Sequence, residues 1–247
     1  MASAYVISPS QAITYTVSAT NENASYPDDN LLDRDPGKPF KATTTATTIT
    51  LTHSSAARKI IAFINTSVLT GASTFTAGGV AVTQTARTAD GQCVNPFKVL
   101  DLGAATSTSV VISGASATVQ IGELILGSAI TQVNATWGGN SSGIEQTWRW
   151  PTRELRTFYG HDLIYATGTR VRSWTGRLKR ETDRTTWLAI AQAASGRSIP
   201  FVFIPDLDVN ECWYVRFSES SLQSLRRMQN VTDVTIELEE VSSGLVL

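Results

Sequence analysis

Apolar and polar positions along this chain alternate with a period of two far more often than with a helical period. Short β-branched runs recur between turn-forming residues at Ile13–Val17, Thr47–Leu51, Lys59–Ile64, Val80–Thr83, Ser109–Ile112 and Thr118–Leu126. Runs of this length and spacing predict a β-sandwich, and nothing in the first half follows a helical period. Around Glu123, the residues Val119, Ile121 and Leu124 to Leu126 predict one face in a core and the other against solvent or a partner.

The second half predicts strands around one helix. Arg170–Arg180 is a strand pattern with Gly176 as a bulge or close-approach point. The period then changes, with Trp187, Ile190, Ala191 and Ala194 at i, i+3, i+4 and i+7, which predicts a helix over 182–195. Thr182 or Asp183 is suited to cap its start and Gly196 its end. Strands follow at Ile199–Ile204 and Glu211–Ser218, joined by the turn-rich segment 205–210, and a last one at Val231–Val241. In that last strand Val234, Ile236 and Leu238 alternate with Asp233, Thr235, Glu237 and Glu239.

Composition divides the chain. Residues 1–132 are dense in Thr, Ser and Ala and contain no tryptophan, whereas all six tryptophans and most arginines lie later. Side-chain sets this different predict separate cores, a β-sandwich over 1–132 and a β-barrel or sandwich over 133–247, with Trp137–Gly143 as the connecting loop. At 247 residues no staple is needed to stabilise such a chain.

Charge and chemistry narrow the functions. The 20 Lys and Arg nearly balance 21 Asp and Glu, so no global field draws the protein to nucleic acid or anionic lipid. No apolar run is long enough to span a membrane, and the first residues lack the pattern of a secretion signal. Two cysteines, Cys93 and Cys212, and two histidines, His53 and His161, stand apart without metal-ligand spacing; buried free thiols are expected. The sequence has no Gly-x-Ser-x-Gly and no phosphate loop. The acidic pairs Asp33/Asp35 and Asp206/Asp208 sit in turn chemistry rather than about a scissile bond. A non-enzymatic protein without a cofactor is the expectation. Arg170, Arg172 and Arg177 oppose in sign the set Asp233, Glu237 and Glu239, which predicts self-assembly through complementary charge.

Two resemblances extend this reading. Asn30, Asp33, Asp35, the late-strand Glu123 and Gly127 make residues 5–130 similar to galactose-binding-like jelly rolls, the family of discoidin domains and many carbohydrate-binding modules, with Arg34 where that loop usually has glycine. The resemblance implies a structural calcium ion on Asp33, Asp35 and Glu123; turn initiation by the same Asp and Asn side chains is the other reading of the loop. The order Trp174-Thr-Gly176, the helix with Trp187 and Leu188, Pro200-Phe201, Trp213-Tyr-Val-Arg-Phe217 and Val234–Glu240 resembles the β-barrel of tail-tube and distal-tail proteins of long-tailed bacteriophages. That resemblance implies a virion tail-tip protein assembled in the host cytoplasm. It would form a homo-oligomeric, sixfold ring around a central channel, and its partners would be the tail-tube protein, the tail hub and other tail-tip proteins. An adsorption protein whose N-terminal module grips host-surface glycan is the alternative.

Overall fold

The computed structural model describes residues 4–54, 59–66, 74–83, 95–100, 105–115, 117–133, 136–137, 145–149, 152–156, 162–166, 171–178, 181–207, 211–227 and 234–241. Among them the strands are β1 (Ala4–Ile7), β2 (Tyr15–Ala19), β3 (Phe40–Lys41), β4 (Thr47–His53), β5 (Lys59–Ile64), β6 (Thr74–Ala77), β7 (Val80–Ala81), β8 (Phe97–Leu100), β9 (Ser107–Ser113), β10 (Gln120–Ile121), β11 (Glu123–Gly127), β12 (Thr131–Val133), β13 (Thr136–Trp137), β14 (Glu145–Arg149), β15 (Thr152–Arg156), β16 (Asp162–Ala166), β17 (Val171–Leu178), β18 (Phe201–Asp206), β19 (Glu211–Phe217) and β20 (Val234–Glu240). The helices are α1 (Glu181–Ala193) and α2 (Glu219–Arg227), and a 3-10 turn spans Asp28–Leu31. The protein is mainly β.

The main elements stack in four layers. An antiparallel sheet β2-β4-β9-β6-β7 faces the three-stranded sheet β11-β5-β8. Between them lies a core in which Ile49, Leu51, Val110 and Ile112 meet Ile61, Phe63, Leu124 and Leu126. Phe63 and Phe75 cross edge to face there, with ring centroids 5.1 Å apart. The third layer is an eight-stranded sheet ordered β12-β1-β18-β19-β20-β17-β13, with β14 also on β17. Among the described residues no pairing joins its two edges into a closed barrel. Its far face buries Trp174, Phe203, Trp213, Val215, Phe217 and Leu238 against Trp187, Ile190 and Ala194 of α1 and Leu225 of α2.

The middle two layers meet in an apolar seam. Ile60, Ala62 and Ile64 of β5 and Phe97 of β8 pack on Ile7, Val202, Ile204, Cys212 and Tyr214 of the large sheet. Strands buried on both faces must be apolar at successive positions, and Ile60-Ile-Ala-Phe-Ile64, Phe201-Val-Phe-Ile204 and Cys212-Trp-Tyr-Val215 are the runs that satisfy this. Strands with one polar face alternate instead, as in β9 and β20.

The cores differ in the stretches of chain they draw on, and the seam joins residues from both sides of position 132. The sandwich core draws only on residues 15–126, while the helix-side core draws on 133–238 together with Ala4 and Val6. β1 lies inside the large sheet, pairing Val6 with Thr131 on one side and with Phe203 on the other.

Several local expectations are corrected. The register from Ser173↔Glu239 to Leu178↔Val234 runs through Gly176 without a bulge; the irregularity falls instead between Phe203 and Asp206 on β18. Where the pattern predicts one helix, the described residues hold two. α2 is capped by Ser218, whose Oγ accepts the Ser221 N–H at 3.3 Å. Thr182 and Asp183 lie inside the first turn of α1 rather than before it. Its C-terminus closes as expected, with Gly196 at φ +74° donating its N–H to the Ala191 carbonyl at 2.8 Å. Of the expected connecting loop 137–143, Trp137 lies in β13 and residues 138–143 lie outside the described residues.

Gly122, between β10 and β11, is fixed by close approach. A Cβ there would lie 2.7 Å from the Pro36 carbonyl oxygen and 2.9 Å from the Asn65 Cβ. Gly122→Ala should therefore displace the 32–40 loop and lower stability by about 1–3 kcal/mol in thermal or urea unfolding.

Candidate functional site

The loop after the 3-10 turn brings two acidic side chains, Asp33 and Asp35, and one arginine, Arg34, to the start of β11, where Glu123 stands. Asp33 Oδ1 accepts the Asp35 N–H at 2.8 Å, and Asp35 Oδ1 accepts the Gly37 N–H at 3.0 Å. These are side-chain-closed turns, as Asp and Asn chemistry favours. Lys38 Nζ lies 3.7 Å from Asp35 Oδ2. Between the two turns Arg34 holds a left-handed backbone at φ +61°. The Asn30 side-chain amide donates to the Pro39 carbonyl at 3.2 Å, tying the loop's two ends together.

Glu123 sits beneath this loop at the start of β11, 3% exposed. Successive side chains of β11 point to opposite faces, so Leu124 and Leu126 enter the sandwich core and Glu123 enters the seam. Its Oε2 has no protein hydrogen-bond partner. Burial pushes its carboxyl up to about 9, and the charges of Asp33 and Asp35 push the same way; the Arg34 backbone N–H and guanidinium pull it down. The group is therefore a neutral acid near pH 7. Tyr15 and Tyr214 stand close enough for Glu123 to raise both phenols further, after burial has raised them most. The Tyr15 hydroxyl donates to the Leu124 carbonyl and also lies 3.4 Å from that of Leu31.

Next to Glu123 a cleft of about 330 Å³ opens where β1 leaves the large sheet. Its walls come from the first turn of the chain, the 32–34 loop, β11 and the start of β18. Sequence reasoning singled out Glu123 but not the cleft, Tyr15 or Tyr214. The signal available was one carboxylate inside the otherwise apolar run Ile121-Gly-Glu-Leu-Ile-Leu126.

The expected calcium ligands Asp33, Asp35 and Glu123 are thus brought near one another electrostatically. Among the described residues no three His, Cys, Asp or Glu side chains form a group able to hold a metal ion. Phe40 is fully buried, while Tyr26 is 37% exposed with Lys41 Nζ 4.0 Å over its ring.

Of the charged interface candidates, Arg172 and Arg177 lie on β17 and Glu237 and Glu239 on β20, adjacent strands of the large sheet. β17 and β20 pair directly, with Arg177 opposite Thr235 and Thr175 opposite Glu237. The Glu239 carboxylate takes Arg197 at 3.3 Å and Arg216 at 3.8 Å, and Ser220 donates to Glu237 Oε2 at 3.2 Å. Arg177 is exposed on β17, on the face opposite Trp174 and Leu178. Arg170 and Asp233 lie outside the described residues, as does the side chain of Arg172. Cys212 is a buried free thiol whose ionisation burial opposes; Cys93 and His161 lie outside the described residues. Among the described residues no helix is long and apolar enough to cross a membrane.

No protein-family model matches the chain, and no curated protein matches it. A solved structure, that of SpGH29, a glycoside hydrolase family 29 chain, is similar at 17% identity with a TM-score of 0.32. The similarity covers 47% of this chain and 27% of that one, so this chain spans about a quarter of its length.

Proposed function

We propose that the protein is a non-enzymatic structural subunit of a bacteriophage tail tip. It would assemble in the host cytoplasm into a homo-oligomeric, sixfold ring that joins the tail tube to the hub and receptor-binding parts of the virion. The observation that supports this reading is that the residues carrying the tail-tube and distal-tail resemblance form one continuous body. Trp174, Trp187, Phe201, Trp213, Phe217 and Leu238, scattered over 65 residues, share a single sheet-and-helix core. The β-sandwich is fixed to the back of that sheet by an apolar seam, as a peripheral module must be if it is to ride on a ring.

Ring partners use strand edges and broad side-chain contacts, and the large sheet offers two edges, at β12 and at β13 with β14. Because Glu239 is engaged within the subunit, the outward charge left for a neighbour on this face centres on Arg177. Light scattering of the purified full chain at tens of micromolar tests the proposal. A mass several times that of the 26.6 kDa chain is expected, and a monomer at every concentration contradicts it. Arg177→Glu should reduce that mass while leaving the melting temperature within a few degrees.

Among the described residues, a glycan-binding role for the sandwich draws its support from exposed Tyr26, and the Lys41 ammonium already covers a face of that ring. Binding to a glycan array by a monomeric chain would favour it.

A further inference from the structure

The cleft beside Glu123 has apolar walls and one polar end. Ile7, Pro9, Ile13, Leu32, Ile125 and Pro200 supply the walls, and exposed Leu32 and Arg34 stand at its mouth. At about 330 Å³ it is roughly twice the volume of an engineered apolar cavity that accepts benzene, so a six-carbon ring fits. Glu123, 3% exposed, lines the polar end and has an Oε2 with no protein hydrogen-bond partner. Tyr214 of β19 lines the same cleft and stands close enough to Glu123 and Arg34 for both charges to act on its phenol. A buried polar atom left unpaired is costly, and a ligand group that pairs with it recovers that cost on binding.

The charges around the polar end favour neither sign of ion. Asp33 and Asp35 act on Glu123 with one sign and Arg34 with the other. An anion or a cation seated there would meet a like charge beside an opposite one, and would give up its hydration among apolar walls. A hydroxyl carries no charge and is both donor and acceptor. It therefore pairs with the Glu123 carboxyl whether that group is ionised or protonated, and retains capacity for a second bond with the Tyr214 phenol.

We propose that this cleft binds small neutral alcohols with an apolar ring of about six carbons, the hydroxyl seated on Glu123 Oε2 and the ring against Ile7, Ile125 and Pro200. All of the residues involved belong to one subunit, so the site does not depend on ring assembly.

Calorimetric titration of the full chain at constant pH with cyclohexanol, cyclohexylammonium and cyclohexanecarboxylate tests this. The probes share a ring and differ in the polar group. Cyclohexanol should bind in the millimolar range, at least about tenfold tighter than either ion. Glu123→Leu should weaken cyclohexanol about tenfold, whereas Glu123→Gln, whose amide also donates and accepts, should hold it within about twofold. Leu32→Trp, at an exposed position of the mouth, should block entry and abolish binding. Melting curves report that each variant is folded. The proposal is overturned by an ion that binds as tightly as the alcohol, by undiminished affinity in Glu123→Leu or in Leu32→Trp, by equal losses in Glu123→Leu and Glu123→Gln, or by no binding of cyclohexanol, which would leave the Glu123 oxygen to water.

Discussion

Trp174→Ala is expected to cost about 3–5 kcal/mol of unfolding free energy, the range for removing a large buried aromatic. Trp174 is 1% exposed at the centre of the large sheet, with its ring centroid 5.1 Å from that of Trp213 and 5.9 Å from that of Phe203. It also stands opposite Leu238 in the ladder. Truncation would open a cavity between the sheet and α1 that the neighbouring rings on β18 and β19 cannot fill by small shifts. Arg177→Ala, three residues along the same strand but on its exposed face, should stay within about 0.5 kcal/mol. Urea unfolding of both variants reads the difference. A loss below about 1 kcal/mol for Trp174→Ala would mean that the helix-side core is not organised around this residue.

Glu123→Gln is expected to stabilise the protein near neutral pH. The carboxyl has an ordinary value of 4.5 when exposed in the unfolded chain and is pushed to about 9 when folded. Between those values the folded state holds a proton that the unfolded state has lost. Stability is then highest below the ordinary carboxylate range and declines as pH rises, by about 1.4 kcal/mol per pH unit, until the folded group ionises near 9. At pH 7 the accumulated cost is on the order of 3 kcal/mol, and glutamine, which never ionises, avoids it. Unfolding free energies of the two proteins should therefore diverge from pH 5 to pH 8. Parallel curves would show that Glu123 ionises in the folded protein as readily as in the unfolded one.

The elements legible in the sequence are those whose pattern is set locally. α1 follows from Trp187, Ile190, Ala191 and Ala194 on one face, and β4, β9 and β20 follow from their alternation. α2 escaped because its nine residues offer only Leu222 and Leu225 as apolar anchors and open with a serine run that reads as a turn. β1 escaped because it is four residues long and its partner β18 lies almost 200 residues away. Nothing local to Tyr5-Val6-Ile7 says which sheet it enters.

The candidate site was half legible for the same reason. Asp33, Asp35 and Glu123 stand out by type, yet the face of β11 that carries Glu123 covers the large sheet, a contact that only the seam of Ile7, Val202 and Tyr214 creates. The acidic face of the last strand, with Glu237 and Glu239, was legible from its alternation. Their partners were not, because Arg197 and Arg216 reach Glu239 through the loop after α1 and through β19.

Imaging the largest species in a purified preparation by negative stain tests the proposed tail-tip role most directly. Annular particles of uniform diameter with a stain-filled centre, each built from several copies of the chain, are the predicted result. Compact particles without a channel, at monomer or dimer size, would contradict it.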